Sequence, residues 1–198
     1  MDTSRERIRQ RLQESIATKQ RIYEDAQLLD RAVQVADALT ATYRSGGKLL
    51  LCGNGGSAAD AQHIAAEFVG RFERERAALH AEALHANTSS LTAIANDYGY
   101  EQVYARQLRA IGKQGDMLIA ISTSGNSPNV LQAAIAARSL HMQVVGMTGA
   151  EGGRLAAHTD WLLNVPTERT ARIQEAHITL GHIITELVET NLFGDEDK

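Results

Sequence analysis

The sequence predicts an α/β protein built on a parallel sheet flanked by helices. Three observations lead there. Short apolar runs of strand length alternate with longer segments of helical period. Two of the runs, Lys48–Cys52 and Gly115–Ile121, stop at glycine- or serine-rich loops that open helices, as strands do before a crossover connection. The second run is apolar throughout Met117–Ile121, as a strand covered on both faces must be. At 198 residues the chain suits one domain, long enough to bury a sizeable core without disulfides.

The elements follow in order. Before Gly46, residues 3–45 hold no Gly or Pro, and Ile8, Leu12, Ile16, Leu28, Leu29, Val33, Val35 and Leu39 recur at mostly helical spacing. Two helices are expected there, with a break near Lys19–Asp25. The first is rich in Arg and Gln and poor in apolar residues, a composition suited to packing on a partner subunit or at a domain edge. Residues 1–45 are therefore read as a helical extension used in oligomerisation. Gly46-Gly47 ends the second helix, Lys48–Cys52 is the first strand, and a helix covers 57–70. The mixed charges of Arg71-Phe72-Glu73-Arg74-Glu75-Arg76 suggest a solvated loop or rim. Ala81–Ala86 is the next strand candidate, with Thr88 or Ser89 capping a helix that runs into Ile94-Ala95-Asn96-Asp97. Tyr104–Ile111 is a further helix ended by Gly112. After Gly115–Ile121, Pro128 marks the first turn of a helix through Leu140. Val144–Met147 and Trp161–Val165 complete the sheet. Residues 170–192 are helical again, and Asp195–Lys198 forms an acidic tail.

Composition limits the partners. A net charge of −4 argues against nucleic-acid binding through a broad basic surface. The single cysteine, Cys52, excludes an intramolecular disulfide and suits a reducing cytoplasm. At the end of an apolar strand it reads as a small buried hydrophobe. Residues 1–20 lack the apolar core of a secretory signal, and no stretch approaches bilayer-spanning length. A cytoplasmic protein without a membrane partner is expected.

The chemistry gathers in three places. Gly53-Asn54-Gly55-Gly56-Ser57 lets the backbone approach a ligand, and the amides opening the following helix attract an anion, most often a phosphate. Gly53-x-Gly55-x-x-Ala58 formally fits a loose dinucleotide pattern. The acidic residue that should end the next strand is missing, because Ala81–Ala86 runs into Asn87. No Lys-Ser or Lys-Thr follows the glycines, so this is not a Walker loop. A bare strand-to-helix turn is the plainer alternative. On the same helix His63 and Glu67 stand four apart and share a face. The second place is Ser122-Thr123-Ser124-Gly125-Asn126-Ser127, with four hydroxyls in six residues at the carboxyl end of a strand. Hydroxyls and amides can wrap a phosphate monoester without adding positive charge. Merely capping the helix at Pro128 is the competing role, and Ser57 can complete the pocket. The third is Arg172-Ile173-Gln174-Glu175-Ala176-His177-Ile178 with Gly181-His182 beyond. Chelate spacing favours Gln174 with His177, or His182 with Glu186, and does not choose between them.

The stretches Cys52–His63, Ala93–Asp97, Ile121–Ser127 and Ala171–His177, in this order and spacing, resemble the phosphoheptose isomerases of the sugar-isomerase (SIS) domain superfamily. The likeness covers nearly the whole chain. It implies a flavodoxin-like sheet in a homotetramer, with active sites near subunit interfaces. It implies isomerisation of sedoheptulose 7-phosphate to the aldose D-glycero-D-manno-heptose 7-phosphate, which feeds lipopolysaccharide or related heptose pathways. Carried over, the substrate contacts are Asn54, Gly55, Gly56, Glu67, Asn96, Asp97, Ser122, Thr123, Ser124, Ser127 and Gln174, and Ser57 joins them. One zinc ion per subunit falls on His63, Glu67, Gln174 and His182, and the acid/base pair on Glu67 and His182. Gln174 and His182 are eight apart, roughly 12 Å along a helix, so both reach one ion only by leaning together or by coming from different subunits. Ala171 departs from family members that carry an acid there. The rival readings are an adapter binding the bacterial replication initiator, which need not keep the acid/base pair, and an amino-sugar phosphate isomerase.

Overall fold

In the computed structural model, which describes residues 3–194, five strands form one parallel sheet. They are β1 (Leu49–Gly53), β2 (Ala81–Ala83), β3 (Met117–Ile121), β4 (Gln143–Thr148) and β5 (Trp161–Asn164), in the order β2-β1-β3-β4-β5. The expected acidic tail at 195–198 lies outside the described residues. Alternate side chains of each central strand enter opposite cores. Leu49, Leu51, Met117, Ile119 and Ile121 face one side, and Leu50, Cys52, Leu118 and Ala120 the other. All are essentially inaccessible to water, which is why these strands are apolar at every position.

The first core is covered by α2 (Ala26–Arg44), α3 (Gly56–Val69) and α7 (Thr170–Phe193), the second by α4 (Thr88–Tyr98), α5 (Val103–Ile111) and α6 (Pro128–Ser139). The remaining helix, α1 (Ser4–Glu24), opens with a capping box in which Thr3 and Glu6 bond each other's backbone amide. The expected break between the first two helices is narrowed to Asp25. Its amide donates to the Ile22 carbonyl at 3.2 Å and closes α1. Its carboxylate accepts from Leu28 N at 2.9 Å and opens α2. On α1 only Thr18 and Ile22 are buried, while Ile8, Leu12, Ile16 and Tyr23 are more than half exposed.

Three local expectations are corrected. The second strand is shorter than 81–86, because the chain turns back at once, with Ala86 N bonding Ala83 O at 2.9 Å. Asn87, not Thr88 or Ser89, caps α4, its side-chain Oδ1 accepting from Ser90 N at 3.0 Å. The 71–76 segment is a loop with Arg71, Glu73 and Glu75 exposed as expected, but the Arg76 side chain is 1% exposed and paired with Glu189 of α7. Short 3₁₀ turns at Tyr100–Gln102 and Gly153–His158 carried no periodic signal, since each is too brief to repeat.

The strand order has a consequence for function. The chain leaves β1 toward one edge, then returns to add β3 on β1's other side. The reversal opens a crevice at the carboxyl ends of β1 and β3, where doubly wound sheets bind ligands. Both hydroxyl- and glycine-rich loops lie there.

Candidate active site

At that crevice a cavity of about 310 Å³ is lined by Asn54, Gly55, Gly56, Ser57, Ile121, Ser122, Thr123, Ser127, Thr170 and Gln174. Three helices, α3, α6 and α7, begin at its wall. Their N-cap residues Gly55, Ser127 and Arg169 make no side-chain capping bond. Each N-terminus therefore turns the positive end of its dipole to the cavity, although at α6 Pro128 has no N–H and Val130 N donates to Asn129 Oδ1 at 3.0 Å. Among the described residues no Lys or Arg lines the cavity, so the attraction for an anion comes from backbone and hydroxyls. Gly55 is the residue that turns the chain, at φ +57°, a conformation unfavourable for side chains. Gly56 lets the Gln174 side chain lie against the turn: a Cβ there would stand 2.5 Å from Gln174 Nε2 and displace that amide. Ser127 does not cap its helix; its hydroxyl meets that of Ser122 at 3.0 Å. The plainer role of a capping turn thus fails for this loop.

Asn54 ties the two loops together. Its amide pairs reciprocally with the buried Asn129 amide of α6, both contacts at 2.8 Å. Tyr100 Oη donates to Asn54 Oδ1 at 3.2 Å, and Tyr104 Oη donates to Gly53 O at 2.5 Å. Asn129, Tyr100, Tyr104 and Thr170 were not anticipated. Asn129 directly follows Pro128 at the hydroxyl loop, and that adjacency was the available signal.

Farther along the same groove, α3 and α7 run side by side in the same direction. Gln174 lies against Gly56, Gly181 against Ile64, and His182 beside His63. His63 Nε2 and His182 Nε2 are 2.8 Å apart, and His63 Nε2 lies 3.4 Å from Glu67 Oε1. One donor atom from each of His63, Glu67 and His182 falls within 4.8 Å of the others. Two imidazoles and a carboxylate so arranged fit the donor set of a zinc site with room for a further ligand. Phe72 stacks on the His182 ring with centroids 5.4 Å apart. Asp60, three residues before His63, has its carboxyl held above the usual range by burial, with His63 opposing the effect.

Gln174 is placed apart from that trio in this chain. Its amide rests at the start of α3, about seven residues or roughly 10 Å of helix from His63. The geometry of one chain makes it a cavity residue. His177, one of the two histidines that local spacing left open, faces the sheet: it is fully buried, with Nε2 3.0 Å from Thr148 O. Burial pulls its pKa down to about 4, with the Thr148 contact opposing. Ser124 is exposed on the far side of the loop and lines a second, polar cavity of about 370 Å³ with Thr123, Asn126 and Glu151. Asn96 and Asp97 are exposed near the end of α4, where Asn96 Nδ2 bonds Asp97 Oδ1 at 2.8 Å. Cys52 is buried in the core, its thiol pKa pushed far up by burial, which leaves it without a nucleophilic role.

Comparison with known proteins supplies the context for this geometry. The sequence matches the SIS domain family over residues 12–149. It is 62% identical over 161 residues to a phosphoheptose isomerase of Roseiflexus sp. strain RS-1, covering 81% of this chain and 82% of that one. A solved phosphoheptose isomerase from Neisseria gonorrhoeae superposes with a TM-score of 0.89 at 47% identity, covering 95% of this chain and 100% of the other. A second, from Francisella tularensis, gives 0.91 at 37% identity, with 95% and 99% covered.

Proposed function

Since the chain belongs to the SIS domain family, among the phosphoheptose isomerases, we propose that it interconverts sedoheptulose 7-phosphate and D-glycero-D-manno-heptose 7-phosphate. It is an aldose–ketose isomerase. The observation that carries the substrate class is the convergence of three uncapped helix N-termini on one cavity without a basic side chain. A phosphate monoester fits there, receiving backbone amides of Gly55 and Gly56 and hydroxyls of Ser57, Ser122, Thr123 and Ser127. Asn54, Gln174, Asn96, Asp97 and Ser124 complete the proposed substrate contacts.

The reacting carbons lie at the opposite end of the open sugar from the phosphate. Glu67 and His182 stand farther along α3 and α7 than the cradle residues Gly56 and Gln174, which supports placing the reacting carbons beside them. Glu67 takes the proton from C1 of the ketose and returns it at C2, through an ene-diol. His182 moves the proton between the oxygens on C1 and C2. His63, Glu67 and His182 would hold the zinc ion, with Gln174 as the weakest ligand. When bound, zinc polarises the carbonyl and stabilises the negative charge of the ene-diolate. Because Gln174 rests at Gly56 within its own chain, its service as the fourth ligand requires a neighbouring subunit.

We infer further that residues 1–45 are an oligomerisation extension of a single SIS domain, and that the protein is a cytoplasmic homotetramer. The exposed apolar residues of α1 and the free buried thiol support this. Among the described residues no helix is long and apolar enough to cross a membrane. The product would feed lipopolysaccharide or related heptose synthesis. An adapter needs no acid/base centre, and the close grouping of His63, Glu67 and His182 favours the enzyme. The test is incubation of the protein with sedoheptulose 7-phosphate and zinc, with the aldose 7-phosphate as expected product. Absence of the aldose, with the ketose still bound, would transfer the site to the adapter reading.

A further inference from the structure

The charged segment between α3 and β2 contains an ion pair with no place in the chemistry above. Arg76 Nε meets Glu189 Oε1 at 2.8 Å, and each side chain is 1% exposed. Removing two charges from water is costly, and well-packed apolar residues often serve stability as well or better. What the pair touches is therefore informative. The guanidinium donates to the carbonyl of Glu67 at 2.7 Å and of Phe68 at 2.7 Å, gripping the last turn of α3. The Glu189 carboxylate accepts the amides of Phe72 at 3.1 Å and Glu73 at 3.0 Å. Held in this way, the Phe72 ring lies on His182 at an interplanar angle of 27°. His182 and Glu189 are seven apart on α7, two turns along one face.

One buried pair thus bears on both members of the acid/base centre, on Glu67 through its own carbonyl and on His182 through a stacked ring. We propose that the Arg76–Glu189 pair is a positioning element of the isomerase centre, and that Phe72 is the arm by which it sets the plane of the His182 imidazole. Neither charged residue lines the cavity. A rotation of His182 moves Nε2 relative to His63 and Glu67, so the consequence falls on the rate of proton transfer. Phosphate binding in the cradle is untouched. Outer contacts that orient functional histidines are typically worth about 10–100-fold in activity or metal affinity.

The catalytic half of this proposal rests on the acid/base roles proposed above, and the experiment separates the two. Histidine ring signals are followed in protein with ¹³C-labelled histidine, where His182 carries a ring-current shift from Phe72. Glu189→Gln should remove that shift and lower kcat for sedoheptulose 7-phosphate by about 10–100-fold with KM unchanged. Phe72→Leu, which leaves the ion pair in place, should give the same loss of kcat at an unchanged melting temperature, and Phe72→Tyr should restore it. Should Glu189→Gln fail to fold, the Phe72 variants decide alone. A His182 shift that survives in Glu189→Gln overturns the positioning role. So does normal kcat in Phe72→Leu, or a rise in KM that accounts for the whole effect. A wild-type protein without isomerase activity would overturn the catalytic half, while the ring signals still decide whether the pair orients His182.

Discussion

Glu67 and His177 stand on two packed helices and face opposite fates. Glu67 is partly exposed beside His63, whereas His177 is sealed against β4. Glu67→Gln keeps the shape of the side chain and removes its capacity to take a proton. Steady-state assays should record a fall in kcat of about 10²–10⁴-fold with the melting temperature unchanged, and near-normal turnover would remove Glu67 from its role. His177 is a matter of stability. Its pKa of about 4 in the folded protein lies below the 6.5 of an unfolded chain, so the unfolded state binds the extra proton first. Stability from this group is full above pH 6.5, falls as pH drops from 6.5 toward 4, and levels off below. The loss is on the order of 3 kcal/mol. Melting temperatures from pH 7 to 4.5 should decline less steeply for His177→Gln than for the wild type, with zinc per subunit the same. Equal slopes, or loss of metal in the variant, would contradict this placement.

At the scale of elements, three helix starts are left without side-chain caps around one cavity, though a cap is typically worth about 1 kcal/mol. The Ser127 hydroxyl is turned to Ser122 instead. Ser127→Ala should therefore leave the urea midpoint almost unchanged and raise KM, since a hydrogen bond to a charged group contributes about 1.5–3 kcal/mol. Ser124→Ala, on the outer side of the loop, should raise KM less. A stability loss without a change in KM would return Ser127 to a capping role. The parallel run of α3 and α7 matters equally, because it sets Gln174 at the cradle and His182 at His63.

At the scale of the molecule, α1 and α2 leave an apolar surface that α7 only partly covers. Ile22, Tyr23, Leu29, Val33, Ile183 and Leu187 border a groove of about 260 Å³, and Ile8, Leu12 and Ile16 of α1 are exposed as well. Apolar patches of this kind on a folded chain mark protein contacts. Under the proposed tetramer, Leu12→Glu with Ile16→Glu should give a smaller species in sedimentation. If Gln174 is contributed between subunits, zinc per chain should fall along with assembly. A variant that stays tetrameric would place the interface elsewhere.

Much of this was legible without coordinates, for identifiable reasons. The unbroken apolar character of Leu49–Cys52 and Met117–Ile121 has one economical cause, a parallel strand covered on both faces, and the structure bears that out. Two loops rich in Gly and Ser after such strands pointed to an anion site, because backbone freedom and hydroxyls are local properties written in residue type. The pairing of His63 with Glu67 followed from helical spacing alone. Spacing said nothing about which histidine of α7 joins them, since His177 and His182 differ by five positions and so face different ways. That choice depends on how α7 lies on α3 and β4, a matter of packing between segments far apart in sequence. The same holds for Arg76. Its charge run reads as solvated until Glu189, 113 residues later, is folded onto it. Sequence by itself determined the sheet, the loops and the kinds of groups available. Tertiary structure decided which of those groups meet, because contact between distant segments is set by burial and helix packing and leaves no local periodicity to read.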